Sequence, residues 1–586
     1  MKIGNRKLNF SVQRGRSQVG RSEGRSGSSV QQVERPPDTA GPDDYTLDTK
    51  LLAGLPEELQ EQSQKHRHLG AYLSAFSMDD LGVPEYLRRL SKSSNKDGKR
   101  NLLYPVGQGV FVHIYHDPDD TRDFYVALEP SEAPEVETLM EEVDRRLMDY
   151  IDELRTVTDK DERIEVLLKL LDRICTTNGK GGKDNNLQVS QDQYEGLRYM
   201  LKRDKGGMGV MEPLISDPYI EDISCSGVGA LFLEHKIFGG LKSNITFDTM
   251  DVLDKYVIQL SEKIARPVTI RDPIVDSTLP DGSRINIVYG GDVSRRGSNF
   301  TIRKFNATPF SILDLVASGS LTYEMAAYIS LMLGEGMNLF VSGETASGKT
   351  TMLNAISTFI PPNSKIVSIE DTPELQVPHQ NWTREVVRGG GETSSSVTMF
   401  DLLVAALRQR PNEIVIGEIR GAEGAIAFQA MQTGHACMAT FHASSVEKLI
   451  QRLTGNPINV PKTYVDNLNM VIIMSAVRLP DGTPARRVLS ISEVIEYDPA
   501  SDSFGFIEVF RWDPSTDTFE FPGYMNTYIL EQTVASKRGL APHESREIYT
   551  ELERRAGILK KLTEREKTNF YELHNVLSQA HREGLF

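Results

Sequence analysis

Eight consecutive residues constrain this chain more than any others. Gly343-Glu344-Thr345-Ala346-Ser347-Gly348-Lys349-Thr350 satisfies every fixed position of a G-x-x-x-x-G-K-[ST] phosphate loop. The run Met337-Asn338-Leu339-Phe340-Val341 before it reads as a buried strand, and Thr351-Met352-Leu353-Asn354-Ala355-Ile356 after it has the apolar spacing of a helix. A strand, a tight turn and a helix are what the chemistry requires. Gly343 and Gly348 let the backbone curl, so that N–H groups and a helix N-terminus converge on one point and can hold phosphate oxygens. Lys349 neutralises charge there, and the Thr350 hydroxyl is a suitable Mg²⁺ ligand. The candidate nucleotide-binding set is therefore Gly343, Thr345, Ala346, Ser347, Gly348, Lys349, Thr350 and Thr351, with a nucleoside triphosphate and Mg²⁺ as the expected ligands.

At 586 residues the chain exceeds what one core usually serves, so several domains are expected. A formal net charge of −16 argues against a dedicated nucleic-acid binder, although a local basic face is compatible with it. Cys175, Cys225 and Cys437 are too few and too far apart for a disulfide framework or a four-cysteine zinc site, which suits a reducing compartment. The N-terminus lacks the apolar core of a signal peptide. The longest apolar run, around residues 470–474, is too short to span a bilayer. The expectation is a cytoplasmic protein without a transmembrane segment, attached to any membrane through a partner.

The pattern along the chain divides it into six segments. Residues 1–45 mix Arg, Ser, Gly and Gln with few apolar residues and read as a disordered basic tail. Residues 46–130 form a small α+β N-terminal module with a strand at 109–115. Residues 131–200 are helical, with apolar stripes through Leu139, Val143, Leu147, Ile151 and Leu154 and again through Ile164, Leu167, Leu168, Leu171 and Ile174. The Gly- and Lys-rich stretch 178–183 reads as a loop. Residues 201–305 form an α/β sensor-like domain, with strands at 220–224, 230–234, 285–288 and 300–305 and a helix striped by Val252, Leu253, Tyr256, Val257, Leu260 and Ile264. A short hinge at 306–309 leads into residues 306–515, where strands at 365–369, 413–417 and 437–440 alternate with helical segments, the pattern of a parallel sheet covered on both faces. A β-rich stretch with Trp512 closes this domain, and residues 516–586 read as a helical tail.

Three further segments carry chemistry. Ile369-Glu370-Asp371-Thr372-Pro373-Glu374 sets three carboxylates at the end of a strand, where ligands sit in open α/β sheets. Hydrolysis needs one carboxylate to activate or orient water, and Pro373 stiffens a turn that would present Glu374. The strand 414–416 ends at Gly417-Glu418-Ile419-Arg420, which fits a Walker-B acid for the water shell of Mg²⁺, with Glu418 in place of the commoner Asp. Arg420 either pairs with one of these acids or lies on the domain surface. The segment 433–443 brackets a strand with His435 and His442, and too few further ligands lie nearby for a metal site. His442 is either a γ-phosphate sensor or an ordinary core histidine.

Taken in order, the phosphate loop 343–350, the acidic box 369–374, the Walker-B segment 414–420 and the histidine box 433–442 resemble the type II/type IV secretion ATPase superfamily. The resemblance is strongest to its archaeal branch, the archaellum motor and archaeal type IV pilus assembly ATPases, and covers about residue 201 to the C-terminus. It implies a RecA-like P-loop ATPase domain behind the α/β N-domain, ATP as substrate, Glu374 as catalytic base, Glu418 as Walker-B acid and His442 as sensor. Residues 279–284 and 300–305 are similar to the family's arginine segments, which makes Arg284 and Arg303 candidate arginine fingers; Arg271, Arg295 and Arg296 are alternatives. The resemblance also implies a homohexamer docked on a polytopic membrane platform protein with accessory motor proteins, powering assembly or rotation of an archaellum or pilus-like filament. Direct nucleic-acid binding is not expected, the rival reading being a DNA-translocating conjugation or uptake ATPase. A third reading is a nucleotide-gated scaffold that does not hydrolyse.

Overall fold

The computed structural model describes residues 47, 49–76, 78–90, 100–116, 120–133, 135–155, 157, 159–177, 186–305, 308–388 and 396–586. The expected basic tail 1–45, the loop 178–183 and the hinge residues Asn306 and Ala307 lie outside them. The chain forms two compact units, one ending at Phe305 and one beginning at Asn306.

The first unit is organised by one ten-stranded sheet. Its strands are β1 (Glu85–Tyr86), β2 (Asn101–Gly107), β3 (Val110–Tyr115) and β4 (Asp123–Leu128), then β7 (Ile220–Cys225), β8 (Gly229–His235), β9 (Gly239–Phe247), β10 (Ile274–Thr278), β11 (Arg284–Val288) and β12 (Asn299–Arg303). A separate two-residue pair, β5 (Cys175–Thr176) and β6 (Leu187–Gln188), lies between them in sequence. Sequence reading treats 46–130 and 201–305 as separate modules, but β4 pairs in parallel with β9 through Asp123↔Leu241, Phe124↔Lys242 and Tyr125↔Ser243. That pair joins two antiparallel blocks into the order β1-β2-β3-β4-β9-β8-β7-β12-β11-β10. Tyr104, Ile114 and Tyr125 consequently share a core with Ile223, Leu233, Leu260 and Ile302. Local periodicity reports which residues face a core and not which strand lies alongside. The opposite face of β3 and β4 packs on the helices Glu57–Lys65 and Arg67–Ala75, and helices Val136–Leu147, Lys160–Ile174 and Gln191–Leu201 bury their stripes against one another.

The second unit has a nine-stranded sheet: β13 (Leu339–Gly343), β14 (Ile366–Glu370), β15 (Trp382–Val386), β16 (Glu413–Ile416), β17 (Ala436–Phe441), β18 (Met470–Arg478), β19 (Pro484–Asp498), β20 (Ser503–Asp513) and β21 (Thr518–Glu520). Their order is β15-β14-β16-β17-β13-β18-β19-β20-β21, parallel as far as β18 and antiparallel beyond it. β13, β14, β16 and β17 are buried at every position, as strands covered on both faces must be. One face carries the helices Tyr323–Gly334, Lys349–Ser357, Ile548–Glu564 and Phe570–Arg582, and the other carries Met399–Leu407, Glu423–Gln432 and Val446–Thr454. The segment 516–586, read from sequence as a separate tail, contributes Ile529, Leu552, Leu559, Leu573, Leu577 and Phe586 to the first of these cores. Buried Glu493 ties it down, accepting from the Tyr328 hydroxyl (2.7 Å) and from the N–H groups of Tyr528 (2.7 Å), Ile529 (2.9 Å) and Leu530 (3.3 Å).

Candidate functional site

β13, β14, β16 and β17 run parallel, so their C-terminal ends share one edge of the sheet. The phosphate loop leaves β13 there, residues 370–374 leave β14, 417–420 leave β16 and His442 follows β17. Topology thus gathers four segments spread over a hundred residues of sequence.

The loop has the geometry its letters require. A Cβ on Gly343 would lie 2.2 Å from the Met474 carbonyl oxygen on β18, so only glycine fits. Gly348 has φ +94° and starts the helix Lys349–Ser357, which has no side-chain cap on its first N–H groups. Ala346 also sits at φ +61°, a strained position for a residue with a Cβ, at the exposed apex of the loop. Its carbonyl accepts from Arg486 Nε on β19 at 3.0 Å. Lys349 is buried and donates from Nζ to the Glu344 carbonyl at 2.8 Å. Burial holds its pKa below the ordinary lysine value, and the Arg420 charge adds to this while Glu418 opposes it. The Ser347 hydroxyl is buried with no hydrogen-bond partner among the described residues. A buried lysine, an orphan hydroxyl and an uncapped helix start together describe a site built for an anion.

Glu418 faces Lys349 and binds Arg420 through Oε2 at 2.5 Å, and Arg420 also lies 3.5 Å from Asp371. Arg420 therefore pairs with two acids. His442 Nε2 is 2.9 Å from Glu418 Oε1, yet that oxygen makes no aligned hydrogen bond among the described residues. Burial, with Lys349 next, lowers the His442 pKa and favours the neutral ring; Glu418 opposes this, and the flanking charges of Arg420 and Arg452 add to it. A half-satisfied carboxylate beside the phosphate loop, with the half-buried Thr350 hydroxyl, is a donor set that fits a hydrated Mg²⁺.

The acidic box separates into three roles. Glu370 is buried and its Oε1 accepts from the N–H groups of Glu374 (2.7 Å) and Leu375 (2.6 Å), while Oε2 takes Arg384 Nε at 3.1 Å. Burial raises its pKa, and those three donors oppose the rise. Asp371 is exposed and meets Arg420, and half-exposed Glu374 sits on a backbone that Glu370 anchors. Sequence reading passed over Glu370 as an anchor, as it did Arg486 and Asn354. A buried polar residue inside the apolar helix 351–356 was the one signal for Asn354; Arg486, more than a hundred residues from the loop it touches, gave none.

The remaining candidates are Arg284, Arg303 and His435. Arg284 and Arg303 are Cα partners across β11 and β12 in the first unit. Arg284 clasps Asp276 at 2.9 and 3.3 Å, and exposed Arg303 stands opposite Asp222 on β7. His435 contacts the Thr433 hydroxyl at 3.1 Å. Among the described residues no cluster of His, Cys, Asp and Glu could hold a metal unaided, and no helix is long and apolar enough to cross a membrane.

Comparison with known proteins agrees with this geometry. Residues 204–478 match the family described as type II/IV secretion system protein. The chain is 42% identical over 540 residues to the uncharacterized protein MJ0900 of Methanocaldococcus jannaschii, covering 90% of this chain and 97% of that one. It is 46% identical over 260 residues to MJ1287 of the same organism, 44% of this chain and 93% of that one. To the type IV secretion system protein VirB11 of Bartonella quintana it is 27% identical over 244 residues, 36% of this chain and 68% of that one. With its α/β phosphate-loop unit and its archaeal relatives, the chain belongs to the archaeal branch of the type II/IV secretion ATPase superfamily.

Proposed function

We propose that this chain is an ATP-hydrolysing, Mg²⁺-dependent motor that works as a homohexameric ring beneath a membrane. The ring docks on a polytopic platform protein with accessory motor proteins, from the cytoplasmic side, and drives assembly of an archaellum or type IV pilus-like filament. The observation that carries the reading is the convergence of Lys349, Glu418, Arg420 and His442 at the sheet edge where the phosphate loop begins. Mg²⁺ held by Thr350 and, through water, by Glu418 would neutralise charge on the phosphates.

Each residue then has a task. The N–H groups of 343–350 and the helix N-terminus receive phosphate oxygens, and Lys349 exchanges the Glu344 carbonyl for a phosphate. Glu374 takes the proton of the attacking water. His442, kept neutral, keeps hydrogen-bonding capacity toward a terminal phosphate without adding charge that Glu418 would have to balance. Arg284 or Arg303 reaches a neighbouring subunit's phosphates when the ring closes, so hydrolysis is tied to domain movement. The purified chain should turn over ATP with Mg²⁺, and Glu374→Ala and Glu418→Ala should each abolish turnover. A wild-type rate in both variants, or ATP left intact by the native chain, refutes the reading. Affinity capture from native membranes with and without residues 1–180 tests the docking assignment.

A further inference from the structure

Among the described residues the Asn354 side chain hydrogen-bonds neither to the phosphate loop nor to a carboxylate. It belongs to the helix Lys349–Ser357, a little over one turn beyond Lys349, and is 9% exposed between core residues Leu353 and Ala355. Its Oδ1 accepts the Gln376 N–H at 2.9 Å, and its Nδ2 donates to the Glu374 carbonyl at 3.3 Å. The primary amide thus pairs with the backbone on both sides of Leu375, whose side chain is buried in the core beneath. Glu370 already holds the Glu374 N–H. With Asn354 on its carbonyl, the peptide groups on both sides of Glu374 are fixed, one from β14 and one from the helix that begins with Lys349 and Thr350. An apolar residue at 354 would leave a partly buried carbonyl and a buried N–H without this partner, which explains a polar residue in an otherwise apolar helix.

We propose that Asn354 is a positioning residue: it transmits the location of the phosphate-loop helix to the main chain of Glu374 and so holds that carboxylate at attack distance from a bound terminal phosphate. The proposal rests on the assignment of Glu374 as the base. Its content is mechanical, since any displacement of the helix by bound phosphates is carried through one amide to the residue that must act on them. Misplacing a catalytic group by an ångström costs up to about a hundredfold in rate.

The test compares full-length wild type, Asn354→Ala, Asn354→Asp and Glu374→Gln in Mg²⁺-ATP turnover, titration with a non-hydrolysable ATP analogue, and thermal melting. Asn354→Asp is isosteric and keeps the acceptor for Gln376 N–H while facing the Glu374 carbonyl with an oxygen, so it reports even where the alanine variant folds poorly. Both Asn354 variants should lose roughly ten- to a hundredfold in kcat, with KM and analogue affinity unchanged. Wild-type kcat in Asn354→Asp alongside a slowed Glu374→Gln overturns the positioning role and leaves Glu374 standing. Loss of analogue affinity in proportion to kcat also overturns it, because a merely structural residue weakens binding and turnover together. Wild-type turnover in Glu374→Gln removes the base assignment itself and this proposal with it.

Discussion

Replacing Lys349 by Met separates what the ammonium does for the ligand from what it does for the fold. The thioether chain retains most of the lysine stem's packing while removing the charge and the hydrogen bond to the Glu344 carbonyl. That charge-assisted bond contributes about 1.5–3 kcal/mol to the ligand-free protein. Against it stands the removal of a buried cation whose pKa burial has lowered. Because the native pKa lies below the unfolded one, the unfolded chain binds the proton more readily. The charge therefore costs stability at every pH below the native pKa, and the cost disappears as pH rises through that value toward the ordinary lysine range. The two effects oppose each other, so the melting temperature should move by less than about 10 °C, and the variant should lack this part of the pH dependence. Nucleotide binding has no such offset. A charge-assisted hydrogen bond contributes about 1.5–3 kcal/mol, which corresponds to a roughly 10- to 150-fold loss of ATP affinity. Calorimetric titration and ligand-free melting on the same preparation give both numbers. Wild-type affinity, or a ligand-free melt lowered by tens of degrees, refutes the assignment of Lys349 as a phosphate ligand held ready in a preformed loop.

If the arginine finger acts across subunits, mixing Arg303→Ala or Arg284→Ala chains with Glu374→Gln chains should restore ATP turnover at about a quarter of interfaces in an equal mixture. No recovery for either arginine rules out action in trans. The lowered His442 pKa means that the unfolded chain gains a proton first on acidification, so stability falls with pH below the ordinary imidazole value. His379 and His574 of the same unit, also lowered by burial, contribute to that limb of the melting-temperature profile, so His442→Gln should make it shallower without removing it; an unchanged slope places the titrating group elsewhere. Tyr328→Phe removes one of four donors from buried Glu493 and should cost about 1–3 kcal/mol, seen as an earlier melt of the unit protected by ADP, while ATP affinity holds.

The sequence determined the parts of this protein whose physics is local. The spacing of Gly343, Gly348, Lys349 and Thr350 specifies a turn that only glycine-rich backbone can make, and the structure contains it. Short, mostly apolar runs at β13, β14, β16 and β17, alternating with helical segments, specify strands buried on both faces. The helical stripe at 252–264 was equally legible, whereas β9 and β10, with Gly239, Gly240, Asn244 and Asp276 breaking their apolar pattern, were not. Tertiary structure alone decided which strands lie side by side and which distant residues touch. The β4–β9 pair that merges two apparent modules, the packing of 516–586 into the phosphate-loop unit, Arg486 on Ala346 and Asn354 on the Glu374 backbone all join residues 20 to more than 100 positions apart. Periodicity and motif spacing decay within a few turns of chain, while a hydrogen bond or a strand pair depends on where the rest of the fold has brought its partner.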